Sequence, residues 1–223
     1  MPVEPSNALW HELAGAAGQS LDVAQVGRLD RFLDLLLQAN ERMNLTRIRD
    51  RALAEIEHVA DAMTLLRHLP RAATRLADLG SGGGVPGIVL AIVRPDCSIV
   101  LVESIRKKAE FLRATVNELG LLNTAVICDR VETVGRSSLR ESFDVVSARA
   151  VADLATLLEW SMPLLRVGGR LLAMKGPKVV DELTACRSLL RPLGAGEPRA
   201  HPVDVRQLPG RCVVEVVKTA STD

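Results

Sequence analysis

The residues best equipped for chemistry are a glycine run, Asp78-Leu79-Gly80-Ser81-Gly82-Gly83-Gly84-Val85-Pro86-Gly87, and the charges that follow it at strand-like intervals. Glycines accept positive φ and let the main chain approach a ligand closely. Pro86 and Gly87 suit the first turn of a following helix. An apolar run before these glycines and a helix after them would make a nucleotide-holding loop. Glu103 ends the next apolar run, and Asp129 and Glu132 follow the third. An acid at the end of the second strand can accept hydrogen bonds from ribose hydroxyls. An acid after the third faces a base, or simply favours a helix N-terminus. Basic candidates are Lys107, Arg130, Arg149 and Lys175, with Arg42, Arg47, Arg49 and Arg51 further back. For any single one, a solvated helix face is the ordinary alternative. Cys97, Cys128, Cys186 and Cys212 are scattered, with no C-x-x-C pair, so neither a zinc site nor a disulfide framework is expected.

Two ligands compete for the glycine run. Gly82, Gly84 and Gly87 satisfy G-x-G-x-x-G, the dinucleotide fingerprint. Gly80, Gly82 and Gly84 satisfy the G-x-G-x-G loop that binds S-adenosyl-L-methionine. Asp78 just before the glycines favours the second, because a carboxylate there meets a cationic ligand, whereas a pyrophosphate is anionic.

These residues need elements to hold them. Ser20 is placed to cap a helix reaching about Asn40, with Val23, Val26, Leu29, Phe32, Leu33 and Leu36 as its apolar stripe. Asn40 to Thr46 reads as a loop. Asp50 caps a second helix that Pro70 ends, with Ile56, Val59, Met63 and Leu66 on one face. Beyond Pro70 short apolar runs alternate with amphipathic stretches, the pattern of a parallel sheet. Strands are predicted at Arg75–Leu79, Ser98–Val102, Ala125–Cys128, Phe143–Ser147 and Arg170–Met174. Helices are predicted near Gly87–Val93, Arg106–Leu119, Asp153–Leu165 and Val179–Leu190. Gly168-Gly169 reads as a turn from helix to strand. Cys212–Val217 should add a hairpin-like antiparallel strand.

The chain of 223 residues carries a net charge of only +1, which neither announces nor excludes a nucleic-acid partner. With two Trp, three Phe and no Tyr, a platform stacking several single-stranded bases is not expected. No apolar run reaches the roughly 18 residues that cross a bilayer. The N-terminus lacks a basic segment followed by an apolar one, so no secretory signal is expected and the cytoplasm is the expected location.

Asn44-Leu45-Thr46, the helix carrying His58 and Asp61, Asp78–Gly87, Glu103–Lys108, Arg130-Val131-Glu132, Ser147-Ala148-Arg149-Ala150 and Ala173-Met174-Lys175-Gly176 occur in that order. Together they resemble the bacterial small-subunit ribosomal RNA methyltransferase G family, also called glucose-inhibited division protein B. Ala62 departs from the family, which often has Ser there. The resemblance implies a class I Rossmann-like methyltransferase fold. That is an α/β domain with a mostly parallel seven-stranded sheet, helices on both faces and an N-terminal helical extension. Residues 1–70 would form the extension and 71–223 the binding domain, as one structural unit. It implies S-adenosyl-L-methionine as cofactor, no metal and no membrane. The substrate would be N7 of a guanosine in 16S rRNA, within the 30S particle or an assembly intermediate. By motif, Asp78, Gly80, Gly82, Gly84, Val85, Glu103, Asp129, Val131, Glu132 and Arg149 would serve the cofactor. Asn44, Lys107, Arg130, Arg149 and Lys175 would serve the RNA, with Arg149 and Asn44 as positioning candidates. Other small-molecule or protein methyl transfer, and then an NAD-dependent Rossmann enzyme, are the alternatives.

Guanine N7 carries a lone pair and no proton at neutral pH, so attack on a sulfonium methyl needs no general base. Alignment and exclusion of water can supply the rate. The sequence accordingly offers no convincing nucleophile–base pair.

Overall fold

The computed structural model describes residues 6–72 and 74–222. The first five residues of the expected extension lie outside that range. Helices α1 (Ser6–Ala16) and α2 (Val23–Met43) come first. Asp22, not Ser20, caps α2: its side chain accepts from Gln25 N at 2.7 Å, and the Gln25 side chain returns to Asp22 N at 3.0 Å. This reciprocal box satisfies two terminal groups at once, which a lone serine cannot. Val23 consequently sits on the first turn, 90% exposed and outside the apolar stripe. The helix runs past Asn40 to Met43, and Asn44 closes it in the left-handed region at φ 50°, ψ 53°. Asparagine is among the few residues that adopt this conformation readily.

Asp50 caps the next helical stretch, as expected, by accepting from Leu53 N. That stretch is not one regular helix. It passes from α3 (Arg51–Ala54) through a π-helical turn (Glu55–Ala60) and α4 (Asp61–Met63) into a 3₁₀ turn (Thr64–His68). Leu69 is extended, as a residue before proline prefers.

Five strands alternate with helices. They are β1 (Arg75–Leu79), β2 (Ser98–Val102), β3 (Thr124–Ile127), β4 (Phe143–Arg149) and β5 (Leu165–Lys175). Between them run α5 (Gly87–Val93), α6 (Arg106–Glu118), α7 (Val131–Val134) and α8 (Leu154–Ser161). Then come α9 (Val179–Ala185), α10 (Arg187–Leu190), β6 (Arg199–Pro202) and β7 (Cys212–Val217). The sheet order is β3-β2-β1-β4-β5-β7-β6, with β1 to β5 parallel and β7 antiparallel to both its neighbours. This is the expected Rossmann-like sheet with an antiparallel end.

β5 starts five residues earlier than expected. Gly168-Gly169 is no helix-to-strand turn: it lies within β5, where the register shifts against β4. A Cβ on Gly169 would stand 3.0 Å from the Asp144 and Phe143 carbonyl oxygens, so the bulge needs glycine there.

The N-terminal helices are not a loose appendage. Trp10, Phe32 and Leu36 share one buried cluster with Leu76, Ile88 and Leu101 on one face of the sheet. Leu79, Val146, Leu158 and Val214 build the other face. Among the described residues no helix is long and apolar enough to cross a membrane.

Candidate functional site

The carboxyl ends of parallel strands are where open α/β sheets hold ligands. Here they face a cavity of about 1220 Å³. The glycine loop, Glu103, Ala150 to Ala152 and Met174 to Gly176 form one wall. The loop Asn44 to Arg49 and the π-helical turn form the opposite wall. A smaller cavity of about 80 Å³ adjoins it, sharing Gly80, Ser104 and Val151.

The glycine loop leaves its wall free of side chains. Gly80 has φ +62°, and a Cβ there would meet the Val151 side chain at 2.7 Å. Gly82, at φ +52°, turns its N–H to Glu103 Oε2 at 2.9 Å. Glu103 Oε1 accepts from Ile105 N at 2.7 Å, so this carboxylate ties two strand-end loops together. Gly84 was expected on this wall but faces inward, its absent Cβ 2.7 Å from Ile88 of α5. Gly83 and Val85 line the cavity on either side of it. Asp78 is fully buried beneath the loop. Its Oδ1 accepts from Ser147 Oγ at 2.8 Å, while Oδ2 has no hydrogen-bond partner. Burial in this apolar site pushes its carboxyl up to about 6.

Asp129, Arg130, Val131 and Glu132 line the smaller cavity. Asp129 Oδ1 is turned to Arg130 N at 2.7 Å.

The expected basic rim is rearranged. Arg149 is largely buried and held by the π-helical turn: it donates to Glu57 O at 2.7 Å, lies 3.1 Å from His58 Nδ1, and pairs with Asp61 at 3.3 Å. Burial, with the Arg149 charge second, holds His58 down to about 4, so the ring is neutral. Burial also raises Asp61, against the pull of Arg149. Lys175 is spent on Ala152 O at 2.8 Å and Glu182 at 2.6 Å. Arg51 is held by Asp30, Asp34 and Glu55. Lys107 is exposed and off the wall, and Lys108 lines the cavity in its place. The reason is helix phase: Lys108 lies four residues before buried Leu112, on the same face of α6. Arg47, Arg49 and Lys108 line the cavity with no ion pair among the described residues.

Asn44 lines the cavity, and its side chain makes no hydrogen bond among the described residues. The loop is instead pinned by Asn40, whose Oδ1 accepts from Thr46 N at 2.9 Å. Sequence reasoning gave no role to Asn40, Thr46, Lys108 or His58. It also assigned nothing beyond Gly176, yet Val203, Arg211 and Cys212 reach the cavity, and Arg211 pairs with Glu57 at 3.3 Å.

The His68, His201 and Glu215 donor atoms lie within 4.8 Å of one another, a spacing that could hold a metal ion. None of the three lines the cavity, and Glu215 already carries Arg170 at 2.8 Å.

Residues 25–197 match a family profile described as GidB, rRNA small subunit methyltransferase G. The chain is 42% identical to ribosomal RNA small subunit methyltransferase G of Chloroflexus aggregans, over 95% of this chain and 89% of that one. It is 44% identical to the protein of that name from Sorangium cellulosum, over 82% and 77%. Among solved structures, a SAM dependent methyltransferase from Aquifex aeolicus superimposes with TM-score 0.57 at 15% identity, over 74% of this chain and 93% of that one. A mutant of MtNAS in complex with S-adenosylmethionine gives 0.59 at 16% identity, over 88% and 75%. At such identities the likeness is one of fold.

Proposed function

The chain belongs to the rRNA small subunit methyltransferase G family, and on that footing we propose that it transfers a methyl group from S-adenosyl-L-methionine to N7 of a guanosine in 16S rRNA. The strand-end wall suits this cofactor: side-chain-free main chain at Gly80 and Gly82 and a carboxylate at Glu103, whereas Asp78, expected to meet the ligand, lines neither cavity and supports the loop from beneath. When bound, the cofactor supplies an electrophilic methyl on a sulfonium. Glu103 offers acceptors for ribose hydroxyls, and Asp129 to Glu132 offer the small cavity for the base. Gly80 also borders that cavity, so one loop serves both ends of the ligand.

One observation carries the choice of N7. Every acid lining the main cavity is already engaged: Glu57 by Arg211, Asp61 by Arg149, Glu103 by two backbone N–H groups, and Glu182 by Lys175. His58 is neutral but holds Arg149 and Thr46. Among the described residues no acid lining this main cavity is left free to act as a general base, and N7 needs none. An exocyclic amine would need a proton removed. Arg47, Arg49 and Lys108 provide phosphate contacts, which position RNA without reading bases. Three such charges hold a short strand weakly, so a folded 30S particle or assembly intermediate in the cytoplasm is the proposed substrate. The chemistry calls for no metal and no membrane.

Mass mapping of 16S rRNA from cells with and without this chain tests the reading. One 7-methylguanosine should vanish when the chain is absent. Loss of a different methyl, with every 7-methylguanosine retained, would overturn it.

A further inference from the structure

Thr46 sits on the target-side wall, and its hydroxyl is held in an unusual state. Oγ1 lies 3.1 Å from Ile48 N, which can only donate. It also lies 3.0 Å from His58 Nε2, whose role depends on where the imidazole proton resides. Arg149 decides that. A guanidinium has donors and no acceptor, so at 3.1 Å it requires an unprotonated Nδ1. His58 Nδ1 is also 3.2 Å from Glu57 O, but a proton on Nδ1 would set it donor to donor against the Arg149 guanidinium at 3.1 Å. The single proton of the neutral ring is therefore on Nε2, and Nε2–H donates to Thr46.

A threonine oxygen accepts two hydrogen bonds and donates one. Both acceptor positions of Thr46 are filled by Ile48 and His58. Its own hydrogen meets no acceptor among the described residues, and Thr46 lines the cavity. An ordinary hydroxyl rotates to read a donor or an acceptor. This one can only donate.

We propose that Thr46 is a specificity-determining residue that donates its hydroxyl hydrogen to O6 of the target guanine, a role that rests on the N7 reading above. O6 and N7 share the same base edge, and adenine carries an N6–H₂ donor where guanine carries O6. A donor-only hydroxyl accepts guanine and opposes adenine, and it leaves the N7 lone pair unoccupied for attack. Asn44 beside it cannot do this alone, because an amide offers both a donor and an acceptor. Arg149 and His58 act as positioning residues, fixing the polarity of Thr46 from behind.

The test is a double-mutant cycle in single-turnover methylation of 30S particles. The particles carry either guanosine or 2-aminopurine riboside, which lacks O6, at the methylated position. Thr46→Val should slow guanosine about tenfold, the scale of one hydrogen bond. It should slow 2-aminopurine no further, so the two changes are coupled. Thr46→Ser should restore most of the guanosine rate. Calorimetry with S-adenosylhomocysteine should show unchanged affinity in Thr46→Val. If that variant does not fold, Thr46→Cys, whose thiol is a weak donor, repeats the cycle and should show the same coupling. Equal slowing of both bases, with normal S-adenosylhomocysteine affinity and the methyl mapped to N7, overturns the Thr46 assignment. A wild-type methyl mapped away from N7 overturns the functional reading instead.

Discussion

The two walls of the cavity are built by different means. The strand-end wall is main chain: Gly80 and Gly82 at positive φ, with Glu103 tying their loop to Ile105. This loop and its tie come from residues 78–105, and their shape follows from local backbone chemistry, while Ala150 to Ala152 and Met174 to Gly176 complete the wall. The opposite wall is a side-chain network assembled across the chain. Asn40, His58 and Asp61 of the N-terminal helical segment, with Thr46 from the loop between, meet Arg149 from β4 and Arg211 from before β7. A wall of main chain recognises a ligand common to many proteins. A wall of coupled side chains can be made particular to one target, at the cost of burying charge.

That difference can be broken where it is widest. Arg149→Ala leaves Asp61 buried without its cation and His58 without its donor. Removing one partner of a buried pair costs about 3–5 kcal/mol, so urea unfolding should show a loss of that size. Arg149→Lys should recover only part of it, since an ammonium cannot reproduce the guanidinium fork. Stability within about 1 kcal/mol of wild type in Arg149→Ala would mean that Asp61 and His58 do not depend on Arg149.

Next in size is an acid response that the network conceals. His58 protonates near 6.5 in the unfolded chain and about 4 when folded. Between those values the unfolded chain binds more protons, so this contribution to stability is lost as pH falls. Asp78 takes its proton at about 6 when folded and 3.8 when unfolded, so its contribution rises as pH falls through the same window. Each shift is worth about 3 kcal/mol and the two nearly cancel. His58→Gln should remove one of them, leaving a variant that gains stability relative to wild type as pH drops from 6 to 4. Parallel stability curves for the two proteins would refute the assignment.

The smallest effect belongs to the other wall. Glu103→Ala should weaken S-adenosylhomocysteine binding by about 1.5–3 kcal/mol, the scale of hydrogen bonds to a charged group. 2′-Deoxy analogues should then bind the variant as well as the parent ligand does. Retained discrimination would place the ribose elsewhere.

The same contrast explains what was legible in the sequence. β1, β2, α5 and β7 fall where apolar runs and their bounding residues place them, because each is set by local pattern. The glycine loop was legible for the same reason. Gly84 was misplaced because alternate glycines in a tight loop turn to opposite sides, and the motif does not say which. Lys107 was chosen over Lys108 although the phase of Ala109, Leu112 and Val116 pointed to the latter. The burial of Arg149 and Lys175 had no local signal. Asp61, the partner of Arg149, lies 88 positions away on α4, and Lys175 meets Ala152, 23 positions back, as well as Glu182 on the next helix, α9. The π-helical turn that presents Glu57 O and His58 to Arg149 reads in sequence as ordinary helix.

On the proposed reading, this cavity aligns a base nitrogen and removes no proton. Single-turnover methylation of 30S particles measured across pH tests it most directly. The rate of the chemical step should be nearly flat from about pH 6.5 to 8.5, because a bell or limb reports an essential acid or base. A clear limb in that range, abolished by His58→Gln, Asp61→Asn or Asp129→Asn, would show that a side chain moves a proton and would contradict the N7 assignment.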